Sequence, residues 1–564
     1  MAGRMSVQQD QGARRRGRPQ PKGRVVDPEA LAEVHAIMGS LPRRRDLLIE
    51  HLHRIQDSLG CLPVAHLAAL AEELRLAQAE VYEVASFYHH FDIVKEGEGA
   101  PAALTIRVCD SIACALAGAD ELKRVLQERL GREVRVVGAS CVGRCDRAPA
   151  ALVGRHVVDH ATPAAVEHAR DSGYIDAVIP AYVDYVEYRR ASGYRLLASC
   201  VSGERAVEEV AAEVAASGLR GLGGAGFPSA TKWKFVRDQP RPRVMVLNSD
   251  EGEPGTFKDR VLLESDPHGV LEGMLIAAWA VQAEECFIYV RDEYPAAWQI
   301  LMRELAMLRE DPPCPIPPIH LRRGAGAYIC GEETALIESV EGKRGEPRLR
   351  PPFPAQNGVF GRPTLVHNVE TVYWLREILE RGPEAFAAAG VRGRKGKRYF
   401  SISGRVARPG VYVAPAGVTV RELIDEYAGG MLPGHEFYAY LPGGASGGIL
   451  PASLGDLPLD FDVLAKYGCF VGSAAIVVLG QHDRVRDAAL NLMRFFAHES
   501  CGKCTPCRAG TAKSVELMAR PVWNTGLLKE LGGAMMDASI CGLGQAAPNP
   551  VRCVINYFPQ ELES

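Results

Sequence analysis

Downstream of Asp27, apolar residues recur at three- and four-residue intervals: Leu48, Leu52 and Ile55, then Leu67, Leu70 and Leu74, then Val81, Val84 and Phe87. That period predicts about four helices over 27–100, with Asp27 as the first N-cap and Pro28 at the first helical position. From Ala103 the pattern changes. Leu104–Val108 and Glu133–Val137 read as strands around a helix at Asp120–Leu130, and Ala150–Val158 reads as a hairpin turning at Gly154. This second unit spans 101–173. Residues 174–200 hold five tyrosines without a clear period, which predicts a linker laid along the surface. The stretch 201–395 mixes helices, strands and glycine loops in an α/β manner. Residues 396–483 are β-rich with one helix at Val420–Tyr427, and 484–564 are helical.

Length and charge narrow the class. The chain has 564 residues, 47% of them hydrophobic and 24% charged, as expected of a multidomain globular protein. The longest apolar runs, Met274–Val281 and Cys469–Gly480, fall well short of the ~20 residues a membrane span requires. No apolar signal segment is present, so a cytoplasmic location is expected. The net charge of −4 argues against a nucleic-acid partner. Residues 1–26 carry seven Lys/Arg against one acid, which predicts a disordered basic arm that is either solvated or laid on an acidic partner subunit.

Fifteen cysteines in so long a chain are too sparse for a disulfide scaffold and point to metal or catalysis. Cys501, Cys504 and Cys507 form C-x2-C-x2-C, with Cys541 as a distant fourth. Three thiolates on one tight loop can each hold a different iron of a [4Fe–4S] cubane. Cys109-x4-Cys114 and Cys141-x3-Cys145 are two pairs, each after a predicted strand, and suit a [2Fe–2S] cluster with two thiolates per iron. Zinc accepts four cysteines too, which keeps a zinc-binding, non-enzymatic scaffold as the competing reading. Lys503 and Arg508 are expected near the sulfurs of the C-x2-C-x2-C set, where they would favour the reduced cluster.

Gly221-Leu-Gly223-Gly224-Ala-Gly226 satisfies G-x-G-x-x-G, but a helix-like segment precedes it, so it is not a Rossmann fingerprint. Its glycines let backbone amides approach a phosphate or a flat ring, and Lys232 can neutralise a phosphate. Asn248, Asp250, Glu251 and Glu253 follow an apolar strand, Val244–Leu247, where α/β proteins present polar groups to ligands.

Taken together, Gly221–Trp233, Asn248–Asp259, Gly324–Thr334, Arg350–Pro354 and His367–Thr371 resemble the flavin subunit of respiratory complex I, as do the four cysteines from Cys501 to Cys541. The helical bundle with Cys109, Cys114, Cys141 and Cys145 resembles that complex's thioredoxin-like [2Fe–2S] subunit. Both are fused here, as in the β (diaphorase) subunits of NAD-dependent, metal-containing formate dehydrogenases. The resemblance implies a multidomain α/β and α+β fold. Its parts are a thioredoxin-like domain, a Rossmann-like FMN/NAD(H) domain, a ubiquitin-like β-grasp module and a helical [4Fe–4S] domain. It implies FMN held by Gly221, Gly223, Gly224, Lys232, Asn248, Asp250, Glu251, Gly331, Glu332, Asn368 and Thr371. NAD(H) would meet Phe227, Phe235, Tyr328, Arg350 and Phe353, with Glu253, Glu332 and Glu333 also in the pocket. Glu253 and Glu333 are the expected catalytic positions. Leu222, Arg350 and His367 depart from arginine, lysine and asparagine, which are frequent in complex I. The implied activity is conversion of single electrons from a partner into a hydride for NAD+. That partner would be a subunit with a molybdenum or tungsten pterin and further iron–sulfur clusters, or the NiFe subunit of a hydrogenase as the alternative.

Overall fold

The computed structural model describes residues 23–131 and 133–562. The expected basic arm thus lies outside the described residues except for its last four positions, where Arg24 bonds through its backbone N–H to Gln78 (2.8 Å) and through its guanidinium to Glu96. Four helices follow, Pro28–Met38, Leu48–Leu59, Val64–Leu74 and Gln78–Phe87. The Asp27 carboxylate accepts from Glu29 N–H at 2.9 Å, and Pro28 opens the first helix as its fixed φ favours. The two-residue strands β1 (Leu62–Pro63) and β2 (Ile93–Val94) pair beside the bundle.

The next sheet has the order β4-β3-β5-β6, built from β3 (Leu104–Cys109), β4 (Val134–Ala139), β5 (Ala151–Val153) and β6 (His156–Val158). β3 pairs parallel with β4 and antiparallel with β5, and Gly154, at φ +62°, makes the expected turn. A four-stranded, fully parallel sheet then forms the largest core, in the order β10-β7-β8-β9: β7 (Arg243–Ser249), β8 (Ala283–Val290), β9 (Ile319–Arg323) and β10 (Thr364–Asn368). Its strands read as apolar runs because both faces are covered. The helix Pro267–Val281, buried almost all round, covers one of them.

The segment 174–200 is a surface linker only in its first part: 174–184 has no helix or strand and is mostly exposed, and the rest packs into the core. It contains helices Tyr185–Arg190 and Arg195–Ser202, and it buries Tyr185, Tyr188 and Tyr194. Tyr185 N–H donates to Glu304 at 2.9 Å, and the rest is held by Glu272, a carboxylate inside the buried helix Pro267–Val281. It accepts from Tyr188 OH (2.6 Å), Tyr194 N–H (3.0 Å) and Leu197 N–H (3.2 Å). An unpartnered buried carboxylate would be costly, so the tyrosine segment is drawn in to satisfy it.

The β-rich part is a five-stranded sheet of order β12-β11-β15-β13-β14, formed by β11 (Lys397–Gly404), β12 (Gly410–Pro415), β13 (Phe437–Leu441), β14 (Leu450–Pro451) and β15 (Ala475–Gly480). Its central pair, β11 and β15, is parallel, and the rest is antiparallel. Helices Val485–His498, Thr505–Met518, Thr525–Ala538, Gly542–Ala546 and Asn549–Tyr557 close the chain. No helix among the described residues is long and apolar enough to cross a membrane.

Candidate functional site

A cavity of about 780 Å³ opens at the C-terminal end of the parallel sheet, where α/β folds bind ligands. Adjacent strands β7 and β10 deliver Asn248 and Asn368 in register. Asn248 donates to Gly331 O (2.9 Å) and accepts from Asp250 N–H (3.1 Å), which fixes the acid loop. Asn368 caps the helix Val369–Arg381 and donates to Asp259 at 2.5 Å. Gly223 lies so close to Asn368 that a Cβ there would sit 2.9 Å from the asparagine Cβ.

Of the residues expected from the sequence, Gly223, Gly224, Asn248, Asp250, Glu251, Glu253, Tyr328, Gly331, Glu332 and Asn368 line this cavity. Gly221 and Thr371 do not; they shape its glycine loop. Gly221 N–H donates to Phe227 O (2.8 Å), and Thr371 Oγ1 accepts from Leu222 N–H (2.9 Å). Lys232, Glu333, Arg350, Phe227, Phe235 and Phe353 also lie outside the wall. Lys232 Nζ pairs with Glu333 at 2.8 Å, and Arg350 lies 3.6 Å from the same carboxylate. The Phe227 and Phe235 rings are 6.1 Å apart, and with Phe353 they are 44–51% exposed, leaving aromatic surface uncovered.

Glu253 is fixed from two sides. It accepts from Ser446 N–H at 2.7 Å and from Tyr328 OH. Burial pushes its carboxyl up, and these two donors pull it back. Burial raises Asp250 well above the usual carboxylate range, and its Oδ2 has no hydrogen-bond partner among the described residues. Burial, helped by the neighbouring Asp259, raises Glu251 to about 8. His367 is held down to about 3 by burial and by Lys232, so its neutral ring accepts from Trp233 Nε1 at 2.8 Å.

Motif reasoning misses much of the wall. Lys258, wholly buried, bridges Asp259 (2.7 Å) and Glu370 (2.9 Å) on the cavity floor. Gly443, Ser446, Phe470 and Ser473 come from the β-rich module, and Asn549 and Arg552 from the last long helix. The glycine-dense run Gly443-Gly-Ala-Ser-Gly-Gly448 could have pointed to Gly443 and Ser446.

The cysteines assemble as their spacing predicts. Cys501, Cys504, Cys507 and Cys541 surround one small void, with Cys504 and Cys541 at helix N-caps. Burial pushes the Cys507 and Cys541 thiols up to about 11 and 12, so four thiolates there need a cation to hold them. Lys503 lines that void, near the sulfurs as expected, with its amine donating to Pro347 O (2.7 Å), while Arg508 donates to Gly502 O. Cys109, Cys114, Cys141 and Cys145 are all buried and free of disulfides, with the Cys141 and Cys145 sulfurs 3.4 Å apart. Arg291 ties this second loop to the cavity, donating to Cys141 O (2.6 Å) and Glu251 O (2.5 Å), while Arg260 donates to Gly143 O (2.8 Å).

These donor sets fit FMN and two clusters. The glycine loop leaves room for a close backbone approach, the Asp250 oxygen waits for a donor, and the sulfur sets have the number and spacing that iron–sulfur clusters require. Ile329 and Leu543 line both the large cavity and the four-cysteine void, which therefore share a wall.

A glycine-lined cavity against one cysteine set, with a second set clamped to its acid loop, defines an iron–sulfur flavoprotein. Residues 214–377 match the Nuo51 FMN-binding domain family and 34–171 the thioredoxin-like [2Fe-2S] ferredoxin family. Residues 399–450 match the SLBB domain, and 487–564 match the NADH-ubiquinone oxidoreductase-F iron-sulfur binding region. An NADH-quinone oxidoreductase subunit from Rhizobium meliloti (strain 1021) is 40% identical over 390 residues, which are 66% of this chain and 92% of that protein. Its counterpart from Aquifex aeolicus (strain VF5) is 40% identical over 391 residues, 67% and 90% of the two chains. A crystal structure of NAD+-reducing [NiFe]-hydrogenase in the H2-reduced state superposes with a TM-score of 0.82 at 32% identity, covering 93% of this chain and 94% of the other. The chain belongs to the family of NADH-quinone oxidoreductase flavoproteins that carry the Nuo51 FMN-binding domain.

Proposed function

We propose that the chain is the diaphorase subunit of an NAD-dependent formate dehydrogenase, passing electrons reversibly between NAD(H) and a partner subunit that bears a molybdenum or tungsten pterin. The observation that carries the diaphorase reading is the wall of Ile329 and Leu543 shared by the cavity and the four-cysteine void. It puts a hydride-accepting cavity against a one-electron site. FMN bound in the cavity would supply the exchange between hydride and single electrons.

The chain's own residues bind and orient. The amides of Gly223 and Gly224 would hold the cofactor, and Lys258 offsets the carboxylates of Asp259 and Glu370. Glu253, held by Ser446 and Tyr328, presents a fixed acceptor for the nicotinamide amide or its ribose. Glu333, braced by Lys232 and Arg350, and the uncovered rings of Phe227, Phe235 and Phe353 suit the rest of the dinucleotide.

What supports formate as the electron source is the resemblance of the fused flavin and [2Fe–2S] units, with all four cysteines of the Cys109–Cys145 set present, to the β subunits of NAD-dependent formate dehydrogenases. The likeness to the NAD+-reducing hydrogenase over nearly the whole chain supports hydrogen as the second reading. Purification with native partners, metal analysis and comparison of formate- with hydrogen-driven NAD+ reduction separates the two. Nickel without molybdenum or tungsten sinks the formate assignment. An isolated chain carrying FMN and iron that fails to reduce dyes with NADH sinks the diaphorase reading itself.

A further inference from the structure

Eight of the fifteen cysteines are assigned to clusters. Of the other seven, only Cys469 and Cys553 have sulfur atoms in hydrogen-bond contact with each other among the described residues. Their Sγ atoms are 3.4 Å apart and both residues are 2% exposed. They come from different parts of the chain, Cys469 from the loop before β15 and Cys553 from the helix Asn549–Tyr557. Cys469 lines the cavity wall, as does Arg552 beside Cys553. An S–S bond is about 2.05 Å long, so closing the pair requires a movement of about 1.4 Å.

The glycine above the pair shows what such a movement would reach. A Cβ on Gly448 would lie 2.6 Å from Cys469 Sγ and 3.0 Å from Cys553 Sγ, so the two sulfurs pack directly under the 443–448 loop. That loop donates Ser446 N–H to Glu253 and accepts from Asn549 Nδ2 (3.0 Å), one helical turn before Cys553. The dithiol therefore underlies the backbone that fixes Glu253.

We infer that Cys469 and Cys553 form an oxidisable dithiol that reacts with a small peroxide and, as a disulfide, shifts the cavity wall holding Glu253. Cys469 lines the cavity and Cys553 does not, so a peroxide entering there meets Cys469 first, which makes Cys469 the nucleophile. Its thiolate attacks one peroxide oxygen; the O–O bond breaks, and the departing hydroxide takes a proton to become water. The Cys553 thiol then attacks the resulting sulfenic sulfur, the S–O bond breaks and a second water leaves. Two thiols lose two electrons and two protons, and one peroxide becomes two waters.

The test treats the anaerobic holoprotein with stoichiometric hydrogen peroxide, alkylates the remaining thiols after denaturation, and maps peptides under non-reducing conditions. The expected result is a Cys469–Cys553 cross-linked peptide that dithiothreitol dissolves. It is accompanied by an at least twofold fall in kcat/KM for NADH-driven dye reduction that dithiothreitol reverses. Cys553→Ser and Cys469→Ser proteins with unchanged FMN and iron contents should show neither effect. The inference is overturned if both thiols remain alkylatable, if either goes to sulfinic acid without a cross-link, or if the reversible loss is equal in wild type and Cys553→Ser.

Discussion

Replacing Glu253 with glutamine isolates its charge from its shape. In the folded chain one carboxylate oxygen accepts from Ser446 N–H at 2.7 Å, and the other accepts from Tyr328 OH. A glutamine oxygen can keep the Ser446 bond, and Tyr328 OH has a second partner in Ser446 Oγ at 3.3 Å. No buried donor is stranded, so stability should change by no more than about 1 kcal/mol. What disappears is a charged acceptor for the nucleotide, worth ~1.5–3 kcal/mol. At ~1.4 kcal/mol per factor of ten, kcat/KM for NADH should fall roughly 10- to 150-fold. The assay is NADH-driven dye reduction, with FMN, iron and melting midpoint measured on the same sample. Glu253→Ala is the contrast, because it strands Ser446 N–H and should lower stability by ~1–3 kcal/mol as well. A glutamine variant with full cofactor content and kcat/KM within twofold of wild type would refute the assignment. Loss of FMN from that variant would refute it too, by making Glu253 a flavin contact instead.

Three further outcomes follow from the same geometry. Gly223→Ala pushes a methyl against Asn368 at 2.9 Å, so FMN per chain should drop severalfold while iron is unchanged, read by flavin release and iron assay. Cys541→Ser removes the distant ligand of the four-cysteine set. Iron should fall from about six to about two per chain, with the [2Fe–2S] electron paramagnetic resonance signal retained and partner-driven NAD+ reduction abolished. His367, held to about 3 in the fold against about 6.5 unfolded, binds a proton only on unfolding across that window. Its stabilising effect is therefore complete above pH 6.5 and lost as the pH falls toward 3, about 2 kcal/mol of it by about pH 5. His367→Gln should flatten the fall of the melting midpoint between about pH 6.5 and 5; an unchanged slope would contradict the assignment.

Features set by neighbours along the chain were legible without coordinates. Cys501, Cys504 and Cys507 must lie close together because three-residue spacing permits little else, although Cys507 stands in the first turn of the helix Thr505–Met518. Asn248 to Glu253 must leave the end of β7 because the strand before them is apolar. The bundle, the hairpin turning at Gly154 and the alternation of strands and helices are local in the same sense.

What only the tertiary structure decided is how distant segments meet. Ser446 and Glu253 are 193 positions apart, and nothing in either motif announces the other. The tyrosines of 174–200 carry no period because they answer to separate carboxylates, Tyr182 and Tyr185 to Glu304 and Tyr188 and Tyr194 to Glu272, and not to one helix face. That Gly221 closes its loop on Phe227 and Gly223 packs against Asn368 is likewise visible only in the fold. Periodicity and spacing record the chain's own geometry. The shared wall of Ile329 and Leu543 and the pairing of Cys469 with Cys553 depend on how separate modules pack, because burial satisfies polar groups and excludes voids by whatever residues arrive, however remote in sequence.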